Sequence, residues 1–176
     1  MKIVSLENYR ASLYSMSFID ELTRLNNREG FLCAGGELLD LSEAGERWAF
    51  LLSLEVEHLK FVNHALGKDA GDEMLIRTAL LLRQVFRKSA VIGRIGGDEF
   101  AVLGRLTGPS ACTAIIARLN EAINAGNSSD RALNLSLRGG FSQFDTRHPK
   151  SLAERMKQAD MAMNGAAAKF SKSSNT

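Results

Sequence analysis

The stretch Arg94-Ile95-Gly96-Gly97-Asp98-Glu99-Phe100 restricts the fold of this chain more than any other. β-prone runs over residues 91–95 and 99–103 flank Gly96-Gly97-Asp98, a composition that predicts a tight β-hairpin. Glycines in such a turn tolerate positive φ and let a ligand come close to the backbone. Upstream, residues 47–56 hold Trp48, Ala49, Phe50, Leu51, Leu52, Leu54 and Val56, the density of a buried strand, with Glu55 and Glu57 at its C-terminal end. Two acidic strand ends brought side by side would supply the oxygen ligands that Mg²⁺ takes together with substrate phosphates.

The remaining segments surround these strands with helices. Leu6, Tyr9, Leu13, Met16 and Ile19 recur at helical spacing through about Arg24. A second helical stretch follows Asn27, and Gly35-Gly36 is expected to end it or open a loop. Residues 72–86 form an amphipathic pattern with Leu75, Ala79, Leu82 and Phe86 on one face. Pro109 and Ser110 open a further helix to about Ile123, before a loop at Gly126-Asn127-Ser128-Ser129-Asp130. Leu133, Leu135 and Leu137 alternate as in a half-buried strand that continues through Phe141 and Phe144. Ser151-x-x-Glu154 is a capping-box pattern for a last helix to about Lys169. Helices interleaved with strands, two of them in a hairpin, argue an α+β layer fold. The expected organisation is a connecting helix over 1–18, one domain over 19–170 and a disordered tail over 171–176.

A chain of 176 residues suits one domain with its own core. The net charge of +2 is too small to argue for nucleic acid or an anionic membrane as partner, so any anion site must be local. Cys33 and Cys112 lack metal-site spacing and read as reduced bystander thiols. The longest apolar run, residues 48–52, is far short of the ~20 residues that span a bilayer. The expectation is a cytoplasmic chain, alone or as the cytoplasmic part of a larger membrane-associated protein.

Gly96-Gly97-Asp98-Glu99-Phe100 resembles the signature of the GGDEF domains of diguanylate cyclases, and four further stretches match that family in order. Asp20-Glu21-Leu22-Thr23-Arg24-Leu25-Asn26-Asn27-Arg28 resembles its D-x-L-T-G-L-x-N-R opening. Glu55-Val56-Glu57-His58-Leu59-Lys60-Phe61-Val62-Asn63 resembles D-x-D-x-F-K-x-x-N, and Gly67-Lys68-Asp69-Ala70-Gly71-Asp72 resembles G-H-x-x-G-D. Ala159-Asp160-Met161-Ala162-Met163 resembles A-D-x-A-[LM]. The resemblance implies a nucleotidyl-cyclase-like fold with a ferredoxin-like core: a central mixed, largely antiparallel sheet of about five strands flanked by helices. It also implies a reaction, in which two GTP molecules condense to cyclic di-GMP and pyrophosphate across a homodimer, with Mg²⁺ (or Mn²⁺) as cofactor. A sensor or other signalling domain is the implied partner.

Carried over by position, Glu55, Asp98 and the Val56 carbonyl would be metal ligands, and Glu99 a further ligand or a base. Asn63 and Asp72 would read guanine, since a carboxylate accepts from guanine N1–H and N2–H together. Taken alone, the two would be a turn residue and a helix N-cap. Backbone N–H groups around His58 and Leu59 would cradle phosphates, with Gly96 and Gly97 beside them; Lys60 is either a catalytic-site cation or a solvated lysine. Met161 and Met163 read as packing residues. The side chains of His58, His64 and His148 show no metal spacing.

Several positions depart from the family pattern. Glu55 replaces aspartate, Arg24 replaces glycine, and Leu59, His64 and Lys68 replace phenylalanine, aspartate and histidine. Ala167 and Ser171 stand where lysine and arginine would clamp the terminal phosphates. Lys169 would lie about 200° away from the first of these on a continuing helix. Arg87 is a remnant of the inhibitory R-x-x-D site, whose aspartate is Ala90 here, so feedback inhibition is expected to be weak or absent. Arg138, at a position where the family often has serine, reads as surface charge or a new phosphate contact. These departures leave a second reading open: a catalytically degenerate domain acting as a GTP-binding or dimerising regulatory module.

Overall fold

The structure, a computed structural model, describes residues 18–40, 47–86, 90–108, 111–129, 134–147, 150–166 and 168–170. The expected helix over 1–18 (apart from Phe18), the tail 171–176, and Arg87, Leu133, His148, Ala167 and Ser171 lie outside them.

In chain order the elements are α1 (Arg28–Asp40), β1 (Trp48–Val56), α2 (Leu59–Leu66), α3 (Lys68–Phe86), β2 (Ala90–Arg94), β3 (Glu99–Leu106), α4 (Ala111–Ser129), β4 (Leu137–Asp145), α5 (Leu152–Ala166) and β5 (Ala168–Phe170). The strands form one sheet in the order β2-β3-β1-β4-β5. Four are long and β5 is a three-residue edge strand. The pairings between these five strands are all antiparallel, and a single parallel bridge joins Asn26 to Gly93 of β2. The sequence β1-α3-β2-β3-α4-β4 is the β-α-β-β-α-β arrangement of a ferredoxin-like core.

Central β1 is covered on both faces, which is why its sequence is nearly unbroken apolar rather than alternating. Phe50, Leu52, Leu54 and Val56 join Met74, Leu75, Leu82 and Phe86 of α3 and Leu119 and Ile123 of α4 in the larger core. Ala49 and Leu51 face the other way, onto Phe31 of α1 and Leu152, Met156 and Ala159 of α5. Met163 is buried in α5, whereas Met161 is 64% exposed and does not pack as expected.

Several local expectations change. Residues 18–26 are not helical: Ile19 bridges Asn26, and Asp20 N–H donates to the Leu25 carbonyl at 2.8 Å. Asn27 caps α1 by accepting the Gly30 N–H at 2.9 Å. Gly35-Gly36 neither ends α1 nor opens a loop; a Cβ on Gly35 would lie 2.6 Å from Leu152 Cδ2 and 3.0 Å from Leu103 Cδ2, so the missing side chain admits the core. The loop expected at Gly126-Asn127 is the last turn of α4, because the Asn127 amide exchanges two 2.8 Å hydrogen bonds with the Leu135 backbone. The last helix ends at Ala166, and Lys169 lies on β5 with its backbone paired to Arg138, so no helical offset applies to it. The capping box is formed: Ser151 N–H and Oγ donate to Glu154 at 2.8 and 2.9 Å, and Glu154 N–H donates to Ser151 Oγ at 3.2 Å.

Candidate functional site

At one end of the sheet the register aligns Glu55 with Glu99 on β3 and with Arg138 on β4. Directly opposed residues share a face, and Glu55 continues the parity of Ala49 and Leu51. Val56 N–H donates to the Asp98 carbonyl at 2.9 Å, which joins the hairpin turn to the acidic end of β1. Asp98 is half-buried and Glu99 exposed.

Neither Gly96 nor Gly97 takes the positive φ expected of the turn. Gly96 serves close approach instead, because a Cβ there would collide with the Glu99 carboxylate folded back over it. The Gly97 carbonyl accepts from Arg94 Nε at 3.2 Å and Nη2 at 2.6 Å. Arg94 Nη1 also reaches both Asp20 carboxylate oxygens at 3.3 Å. Asp20 in turn accepts from Thr23 N–H at 2.8 Å and Thr23 Oγ1 at 2.6 Å. Burial would raise its pKa, but the Thr23 hydrogen bonds and the Arg94 charge outweigh that and hold it below the ordinary value. The opening motif therefore acts as a brace for the acidic hairpin. Sequence reading assigned Asp20 and Arg94 no role; nothing in their spacing announces that they meet.

Arg138 is more than plain surface charge, because it reaches across the sheet to the acidic end of β1. Its Nη2 donates to Glu55 Oε2, with the two side chains 35% and 28% exposed. That hydrogen bond and the Glu55 charge keep the guanidinium more firmly protonated than usual; burial opposes them, and Glu57 and Asp98 add to them. Glu57 accepts from Ser136 Oγ at 2.7 Å.

The second half of the site lies on α2 and α3. His58 takes a left-handed conformation (φ 64°) as the N-cap of α2, and no side chain caps that end. The first backbone N–H groups of a helix lack intrahelical partners and favour anions. Leu59 is buried and anchors the turn, while Lys60 is exposed. Asn63 lies on α2 rather than in a turn, and Asp72 lies inside α3 rather than at its N-cap. Gly67, at φ 90°, closes α2 by donating its N–H to the Asn63 carbonyl at 3.1 Å. The Asn63 side chain packs against Gly71, so closely that a Cβ there would overlap its amide oxygen. Asn63 is thus brought to the residue before half-buried Asp72.

Among the described residues, no group of three or more His, Cys, Asp and Glu could hold a metal ion. Glu55 and Asp98 offer the hard oxygen donors that Mg²⁺ prefers, and Mg²⁺ needs only one or two carboxylates when phosphates and water complete its shell. The residues fit a divalent ion that arrives with a polyphosphate rather than a caged one. Cys33 is exposed and Cys112 half-buried. No helix among the described residues is long and apolar enough to cross a membrane.

The family model "Diguanylate cyclase, GGDEF domain" matches residues 17–173, and the chain belongs to this family. The diguanylate cyclase TpbB of Pseudomonas aeruginosa strain UCBPP-PA14 is 35% identical over 169 residues, covering 90% of this chain and 37% of TpbB. The cyclic di-GMP phosphodiesterase NbdA of Pseudomonas aeruginosa PAO1 is 30% identical over 160 residues, covering 90% of this chain and 20% of NbdA. The crystal structure of the diguanylate cyclase SiaD in complex with its activator SiaC, also from Pseudomonas aeruginosa, superposes with a TM-score of 0.74 at 25% identity. It covers 90% of this chain and 61% of that one. The chain spans well under half the length of both curated relatives.

Proposed function

We propose that this domain binds GTP with a divalent cation and, as two domains face to face, condenses two GTP into cyclic di-GMP. The observation that carries this reading is the joining of the two acidic elements: Val56 N–H on the Asp98 carbonyl, with Glu55 in register with Glu99. In this reading the Asp72 carboxylate and the Asn63 amide select guanine through its N1–H and N2–H edge. The N-terminal N–H groups of α2, around His58 and Leu59, receive phosphate oxygens, with Lys60 nearby. Glu55, Asp98 and the Val56 carbonyl hold Mg²⁺, which neutralises charge on the polyphosphate. Glu99 either adds a ligand to the cation or takes the proton from the 3′-hydroxyl as it attacks the α-phosphate presented by the facing domain; pyrophosphate leaves. Positioning accounts for most of the rate, since each domain presents one GTP and the pair makes the attack effectively intramolecular. A sensor or other signalling partner, in a bacterial second-messenger pathway, is part of the proposal.

A second reading has a specific observation in its favour. Glu55 is engaged by Arg138, which suits a regulatory domain that binds GTP with little turnover.

Incubation of the purified chain with GTP and Mg²⁺, followed by nucleotide chromatography, decides between them. Cyclic di-GMP that disappears in Asp98→Ala and Glu99→Ala variants, at a specific activity that falls on dilution, is the expected result. No product at high protein concentration, with Mn²⁺ as well as Mg²⁺, would overturn the cyclase reading. GTP calorimetry would then test the regulatory one.

A further inference from the structure

We propose that Arg138 is an exchangeable counter-ion of the acidic site: it holds Glu55 while no nucleotide is bound and passes to the polyphosphate when nucleotide and divalent cation enter together. The inference rests on the GTP reading above and adds to it a coupling between metal and nucleotide.

The sheet dictates the encounter. Glu55 and Arg138 are directly opposed across β1 and β4, so their side chains emerge on one face, where Arg138 Nη2 donates to Glu55 Oε2. Glu57 and Asp98 also lie within its electrostatic reach. A divalent cation on Glu55 competes with the guanidinium, because the two cations repel and the ion wants the Oε2 that Arg138 already holds. Metal alone therefore weakens the Arg138 contact without giving it a new partner. A triphosphate changes the balance: its oxygens match the guanidinium fork, and its charge screens the two cations from each other. Both side chains remain partly exposed (35% and 28%), so the pair is held loosely enough to exchange. Only the guanidinium has to move, since the Arg138 backbone is held between β1 and β5.

The test is Mn²⁺ binding, followed by the electron paramagnetic resonance of the free ion, in the natural chain, Arg138→Ser and Arg138→Lys. Each is titrated with and without 3′-deoxy-GTP, which lacks the attacking hydroxyl and does not turn over. Without nucleotide, Arg138→Ser is expected to bind Mn²⁺ about tenfold more tightly than the natural chain, and Arg138→Lys to stay near it. With 3′-deoxy-GTP the order reverses, Arg138→Ser binding the metal–nucleotide pair several-fold more weakly than the natural chain. Equal Mn²⁺ affinities for the natural chain and Arg138→Ser, with 3′-deoxy-GTP still bound, would overturn the proposal and leave the GTP reading standing. Failure of all three proteins to bind 3′-deoxy-GTP would overturn both.

Discussion

Arg24 stands where the family pattern has glycine, and its φ of 58° gives the reason for the glycine. Left-handed backbone costs an L-residue roughly 1–2 kcal/mol, and the Arg83 guanidinium, donating to the Arg24 carbonyl at 2.6 Å, helps to hold it there. Arg24→Gly keeps that carbonyl and removes the Cβ clash. It should stabilise the fold by about 1 kcal/mol, read as a higher urea midpoint, less what glycine adds to unfolded-chain entropy. An unchanged or lower midpoint would show that the unfolded-chain entropy of glycine cancels the relieved strain. Asp160 shows a motif residue with a bland role: it accepts from Ser53 Oγ at 2.7 Å and pins α5 to the central strand. A sequence pattern marks such positions without saying which bind ligand and which brace the fold.

At the scale of elements, the paired glycines of α1 behave differently although they are neighbours. A Cβ on Gly36 meets nothing within 4 Å, whereas one on Gly35 meets two leucine methyls. Gly36→Ala should stabilise by about 0.5–1 kcal/mol through helix propensity. Gly35→Ala gains the same propensity but overpacks Leu152 and Leu103, and should destabilise by about 1 kcal/mol net. Thermal unfolding of the two variants checks the contrast; equal shifts would refute the packing argument. The α1 start, the α3 face and the Ser151 capping box were legible because each depends on residues within a few positions of one another. Helix α2 was not read at all. It is eight residues long and leaves Phe61 70% and Leu66 63% exposed, so its apolar residues do not form a clean buried stripe.

Across the whole molecule, three carboxylates have depressed pKa values, and two of them, Asp145 and Asp20, tie distant parts of the chain together. Arg147 hydrogen bonds hold Asp145 far below the usual carboxylate range; burial opposes them, and Arg47, just before β1, adds to them. Asp20 is held down against burial by Thr23 and Arg94, and Glu154 by the Ser151 backbone and hydroxyl. A carboxylate whose folded pKa is depressed stabilises the fold above its unfolded value of about 4 and loses that contribution as pH falls through the folded value. The unfolding temperature should therefore be flat from neutral pH to about pH 5 and fall below about pH 4, with Asp145→Asn shallower on the acid side. A midpoint that rises on acidification would contradict these pairings.

By itself the sequence determined the acidic hairpin, the buried central strand, the amphipathic helices and membership of the GGDEF family. Those features reside in short-range composition and in motifs that survive individual departures. Only the tertiary structure decided that Glu55 meets Arg138, that Asp20 braces the hairpin through Arg94, that Asn63 lies over Gly71 beside Asp72, and that Lys169 belongs to a strand. Each of these, Asn63 and Gly71 apart, joins residues far apart in the chain, and all are set by sheet register or helix packing. A side chain's partner there depends on which strand or helix lies alongside, and no local pattern carries that information.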